Sequence, residues 1–108
     1  VGARTRINPI VAPVAIAKHP LRAKEKIHLK MIELGPQGFR FQTSLSNKFL
    51  LPGSHFEGVE VTFPCLGSFS CDLRVQHVRV ADSALELGCS VKRMGAEFRE
   101  ALGQFALF

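Results

Sequence analysis

Along most of this chain, apolar and polar residues alternate with the period of two that marks a half-buried β-strand. Ile27, Leu29 and Met31 fall on one side of such a run, with His28 and Lys30 on the other. Phe39 and Phe41 flank Arg40, and Val59, Val61 and Phe63 alternate with Glu60 and Thr62. Phe69, Cys71, Leu73 and Val75 alternate with Ser70, Asp72, Arg74 and Gln76, after which the apolar parity switches to Val78 and Val80. A switch within one long strand predicts a β-bulge or sharp bend near Gln76–His77, as a small barrel requires. A last strand runs through Leu85, Leu87, Cys89 and Val91. The apolar stretch 10–17 predicts a first strand with an irregular start, because Pro9 and Pro13 forbid a helix interior there.

The breaks between these runs are made of turn residues. Gly35-Pro36-Gln37-Gly38, Pro52-Gly53, Pro64 with Gly67, and Asp82-Ser83 each read as a turn, and residues 43–48 as a polar loop. The period then changes. Phe98, Ala101, Leu102 and Phe105 stand at i, i+3, i+4 and i+7, with Glu97, Arg99 and Glu100 on the other face. This is a helix whose apolar stripe must cover something, and the open end of a barrel is the natural target. The pattern predicts a mainly all-β chain, a six-stranded antiparallel barrel with a C-terminal α-helix. One domain is expected, divided into a flexible N-terminal arm over 1–9, a barrel over 10–92 and a closing helix over 95–107.

Composition narrows the class. A chain of 108 residues builds one core rather than two, and 46% apolar with 21% charged residues excludes a disordered protein. No apolar run approaches the roughly 18 residues that cross a bilayer. The chain opens on Val1 without a secretion signal, so it is expected to be part of a longer, cytoplasmic protein. Cys65, Cys71 and Cys89 are odd in number and widely spaced, which argues against a zinc site or a disulfide framework. Each is expected to be a small buried hydrophobe in a reducing compartment.

Charge is uneven. Residues 1–30 hold seven basic side chains (Arg4, Arg6, Lys18, Arg22, Lys24, Lys26, Lys30) and one acid, Glu25, so the remaining chain is slightly acidic within a total of +5. Such a segment invites an anionic partner. Catalytic patterns are missing: the four histidines (His19, His28, His55, His77) have no nucleophile or carboxylate at triad spacing, and no phosphate-binding loop, dinucleotide fingerprint or H-E-x-x-H occurs. The chain is therefore not expected to be an enzyme, nor to carry a metal or cofactor.

The most informative stretch is Glu33-Leu34-Gly35-Pro36-Gln37-Gly38, followed by Phe39-Arg40-Phe41. It sets an acid at a strand end, then a tight turn, then a glycine opening the next strand. The acid can accept from the N1–H and N2–H edge of a guanine, and glycines let a planar base approach the backbone. The same residues equally make a plain β-turn.

This stretch resembles the D/N-x-S-x-x-G turn between the second and third strands of PilZ domains, the bacterial receptor modules for cyclic di-GMP. The likeness runs on through Leu51-Pro52-Gly53, Val59–Phe63, Leu66-Gly67-Ser68-Phe69, Asp72-Leu73-Arg74-Val75 and Leu87-Gly88-Cys89 to the closing helix, and is nearest the flagellar-brake branch. The family also carries an R-x-x-x-R stretch before its first strand. Here Arg6 stands at the second arginine, Gly2 at the first, and Arg4 nearby. In the turn, Glu33 replaces the Asp or Asn and Gly35 the Ser, while Gly38 is kept.

The resemblance implies cyclic di-GMP binding through Arg4, Arg6, Glu33, Gly35 and Gly38 in bacterial signalling that controls motility or surface behaviour, with a protein partner or a neighbouring domain of the same chain as the output. The losses in both motifs leave a second expectation open, a degenerate PilZ domain that serves as a protein-interaction module without the nucleotide. A nucleic-acid-binding barrel is disfavoured, since the chain has neither Trp nor Tyr to stack on bases.

Overall fold

A computed structural model describes residues 5–8, 11–22, 24–35 and 38–106. The described strands are β1 (Thr5–Arg6), β2 (Val14–Lys18), β3 (Lys26–Leu34), β4 (Gly38–Thr43), β5 (His55–Phe63), β6 (Gly67–Ala81) and β7 (Ala84–Met94), followed by helix α1 (Ala96–Ala106). Neighbouring strands run in the order β3-β2-β5-β6-β7-β4, and β4 pairs back to β3, so six antiparallel strands close into a barrel. Two residues within the predicted arm, Thr5 and Arg6, form β1 and pair with β3 beside the ring.

Alternation sorts the side chains as the sequence predicts. Ile27, Leu29, Met31, Phe39, Phe41, Val59, Val61, Phe63, Cys71, Leu73, Val75, Leu85, Leu87 and Cys89 are all buried in one core. The ladder between β6 and β7 shifts register between Val75 and His77, where the bulge was predicted. Its local cause is a change of neighbour. Up to Arg74, β6 pairs with β5; at Val75 the 52–54 loop takes over, with Gly53 N–H donating to Val75 O (2.7 Å) and Val75 N–H donating to Ser54 O (2.8 Å). Beyond the bulge β6 leaves the core, so Val78 is half-buried and Val80 is exposed. The hairpin to β7 turns at Asp82 and Ser83, both with positive φ (50° and 63°), as a two-residue turn matched to strand twist requires.

Three local expectations change. Of the predicted 10–17 strand, Val11–Pro13 precede the ladder, which begins at Val14 after Pro13, a residue with no N–H to give it. Within the predicted 43–48 loop, Thr43 ends β4 and is buried, donating to His28 O and accepting from Asn47 Nδ2 (both 2.8 Å), and Leu45–Asn47 form a 3₁₀ turn capped by Ser44. Cys65 is exposed, because it sits at φ 64° in the turn between β5 and β6 rather than in a strand.

Helix α1 covers one end of the barrel with its predicted stripe. The Phe98 ring lies 6.1 Å from Phe39 and 5.7 Å from both Phe63 and Phe69, and Phe105 lies 5.4 Å from Phe63. Leu107 and Phe108 lie outside the described residues.

Candidate functional site

The turn after β3 closes through Gly35 N–H donating to Gly38 O (3.0 Å). Gly38 then opens β4 opposite Ser90 of β7. A Cβ added to Gly38 would run into the Cys89 carbonyl, so here the missing side chain makes room for a neighbouring strand.

Strand register assembles the rest. Antiparallel pairing sets Arg6 of β1 opposite Glu33 of β3, supported by Ile7 N–H donating to Ile32 O (3.0 Å). A register shift between Met31 and Glu33 turns Glu33 to face Arg40 of β4 on its other side. Arg40 is opposite Gly88 of β7, and Gly88 is opposite His77 of β6. One transverse row thus runs Arg6, Glu33, Arg40, Gly88, His77 across the outside of five strands. At Gly88 the wall has no side chain, and a Cβ there would stand 3.6 Å from His77.

A second carboxylate sits one step along β7. Glu86 Oε1 lies 2.9 Å from Arg79 Nη2 and 3.5 Å from Arg40 Nη1, and its side chain is mostly buried. Arg40 Nε is buried with no hydrogen-bond partner among the described residues. An unmade hydrogen bond of this kind costs about 1–3 kcal/mol. Farther along, Gln76 Nε2 donates to Ser90 Oγ (2.8 Å) and fixes the serine beside Gly38.

Of the predicted site residues, Arg6, Glu33, Gly35 and Gly38 come together at one end of the β3–β4 hairpin. Arg6 is exposed, and Glu33, Gly35 and Gly38 are half-buried. Arg4 lies outside the described residues. Arg40, Glu86, Gly88 and His77 were not singled out for the site from the sequence. Two signals pointed to them: Arg40 is the outward residue next after Gly38, and Gly88 leaves a gap on the face of β7 where Glu86, Ser90 and Lys92 stand.

Other chemistry is sparse. Burial pushes the thiols of Cys71 and Cys89 up to about 12, with smaller contributions from Asp72 on Cys71 and from Cys71 on Cys89, so both stay protonated and unreactive at neutral pH. His19 Nδ1 accepts from the N–H groups of Leu21 and Arg22 (both 3.1 Å) and is thereby committed to the β2–β3 connection. Among the described residues no three His, Cys, Asp or Glu side chains are grouped to hold a metal ion, and no helix is long and apolar enough to cross a membrane.

Several solved structures superpose on nearly the whole chain. The K. pneumonia MrkH–c-di-GMP complex gives a TM-score of 0.81 at 17% identity, over 98% of this chain and 49% of that one. B. subtilis MotI/DgrA, an inhibitor of motility, gives 0.75 at 14% identity, over 98% and 48%. The PilZ domain of E. coli YcgR with c-di-GMP gives 0.77 at 14% identity, over 96% of this chain and 86% of that domain. The fold is PilZ-like. No protein-family model and no curated protein matches the sequence, so the likeness is one of three-dimensional form. The chain spans about half the length of MrkH. Within this PilZ-like barrel, the two stretches that carry the sequence resemblance, around Arg6 and over Glu33–Gly38, lie side by side on β1 and β3.

Proposed function

We propose that the chain is a cyclic di-GMP-binding PilZ-type receptor module in bacterial signalling, acting on motility or surface behaviour through a protein partner or a neighbouring domain of the same chain. The observation that carries this reading is the register of β1. It brings Arg6 beside Glu33, at the turn where the resemblance locates the nucleotide. In the reading, the planar Arg6 fork contacts phosphate in a bidentate manner and stacks on a guanine, while Glu33 accepts from the guanine N1–H and N2–H edge. Glu33 is one methylene longer than the family's Asp, and the shift that turns it between Arg6 and Arg40 is what would draw its carboxylate back to the wall. Gly35 and Gly38 keep the turn low, and the bare backbone at Gly88 beside His77 leaves a flat surface on which a base could lie. MrkH and YcgR, solved with c-di-GMP, supply a structural precedent.

A receptor must also transmit. Among the described residues two register pairs and one further hydrogen bond join β1 to β3, so ordering it there is a small step that a bound nucleotide can bias, changing what the arm presents to the next domain or partner. Nothing in this scheme calls for bond chemistry.

Calorimetric titration with cyclic di-GMP tests the reading. The chain is expected to bind in the micromolar range, and Arg6→Ala is expected to weaken binding by roughly 10- to 150-fold, the loss of one charge-assisted contact. Because Arg6 is exposed, its variant should melt with the parent. No heat from the unaltered chain at high nucleotide concentration would overturn the receptor and leave the interaction module.

A further inference from the structure

The turn has a second side. Between it, the end of β7 and α1 lies a groove of about 540 Å³, whose lining includes Gly35, Gly38, Lys92, Arg93, Arg99 and Leu102. Its lining carries three cations and no acid. Neither Lys92 nor Arg99 has an ion-pair partner among the described residues. Arg93 reaches Asp72 only at 4.0 Å from a largely exposed position, and the other Asp72 oxygen accepts from Gly58 N–H (2.9 Å). Glu97 and Glu100, although on the same helix, do not line the groove.

The groove is continuous with the site already described. Gly35 and Gly38 belong to both. Along β7 the outward positions run Gly88, Ser90, Lys92, with Arg40 and Gly38 of β4 opposite the first two. From Gly88 to Lys92 is about 13 Å of strand, so a ligand lying on the bare stretch of wall has Lys92 at its far edge. The geometry points to Lys92 and Arg99 as a phosphodiester-binding subsite for that ligand. The inference rests on the receptor reading and completes it. A cyclic dinucleotide carries two phosphodiesters, so a ligand held at Arg6 by one of them has a second to place along the wall. Unpaired cations in a concave, partly apolar groove concentrate positive potential, and Arg99 adds a planar fork where Lys92 adds a point charge.

The test is a titration of cyclic di-GMP into the unaltered chain, Arg6→Ala, Lys92→Ala, Arg99→Ala and the Lys92/Arg99 double alanine variant, repeated over a range of salt. Lys92 and Arg99 are exposed, and matching thermal melts show that each variant is folded. Arg99→Ala is expected to weaken binding about tenfold, the double variant to weaken it further, and the double variant to bind with a shallower salt dependence than the parent. Unchanged affinity and salt slope in the double variant, beside loss in Arg6→Ala, would overturn the subsite while leaving the receptor reading intact. Failure of the unaltered chain to bind would overturn both.

Discussion

Beneath α1 the barrel is closed by phenylalanines, whereas on the outer wall from β1 to β6 it is ruled by charge. At the closed end, Phe39, Phe63, Phe69, Phe98 and Phe105 meet ring against ring, some stacked and some tilted or edge-on. Their attraction scales with area removed from water and tolerates several ring angles. On the wall, Arg6, Glu33, Arg40, Glu86 and Arg79 alternate in sign, partly in water, where each pair contributes little to stability but each position is specific. One region holds the fold, and the other adds little to its stability. Phe39 and Leu102 on one side and Gly35 and Gly38 on the other make the basic groove the place where the two meet.

The comparison breaks most readily at its strongest point. Phe98→Ala empties the centre of the ring cluster and is expected to cost about 3–5 kcal/mol in urea unfolding, while nucleotide affinity per folded molecule changes little. A large loss of affinity in a variant that remains folded would mean that the two regions are not separate.

Alkaline pH gives a smaller effect, and the sign follows from the raised thiols. Cys71 and Cys89 ionise near 9 when unfolded and at about 12 when folded, so between those values the unfolded chain has lost protons that the native chain keeps. Stability should be unaffected by these groups below pH 9 and fall above it, by at most about 1.4 kcal/mol per pH unit for each thiol. Urea midpoints of the parent and of Cys71→Ala from pH 8 to 10 measure this, the variant falling less steeply.

The smallest change belongs to the wall. Glu86→Gln removes the charge shared by Arg40 and Arg79 and should cost about 1 kcal/mol or less, since Arg79 is mostly in solvent. A cost near that of Phe98→Ala would show the wall to be structural after all.

Much of the fold was legible because it is written in local alternation. Each of Ile27, Leu29, Met31, Val59, Val61 and Phe63 shows its face by its neighbours two residues away, and the Phe98–Phe105 stripe shows it by helical spacing. The bend at Gln76 was equally visible as a parity switch. The wall was not, because its members are neighbours only through register. Residues 6, 33, 40, 88 and 77 come from five strands, and the shift between Met31 and Glu33 that turns Glu33 toward Arg40 leaves no mark in the residue pattern. Cys65 misled for a related reason: an apolar neighbourhood looks the same in a strand and in a tight turn until the backbone angle is known. The Glu33–Gly38 turn was readable as a turn, but not the strand that Gly38 admits.

The short strand β1 gives the molecule a hierarchy of lifetimes. The six ring strands share long ladders, so their amides can meet solvent only when much of the barrel opens. Among the described residues, Thr5, Arg6 and Ile7 meet β3 through two register pairs and the Ile7 N–H bond to Ile32 O, so their amides are expected to exchange well before those of the ring.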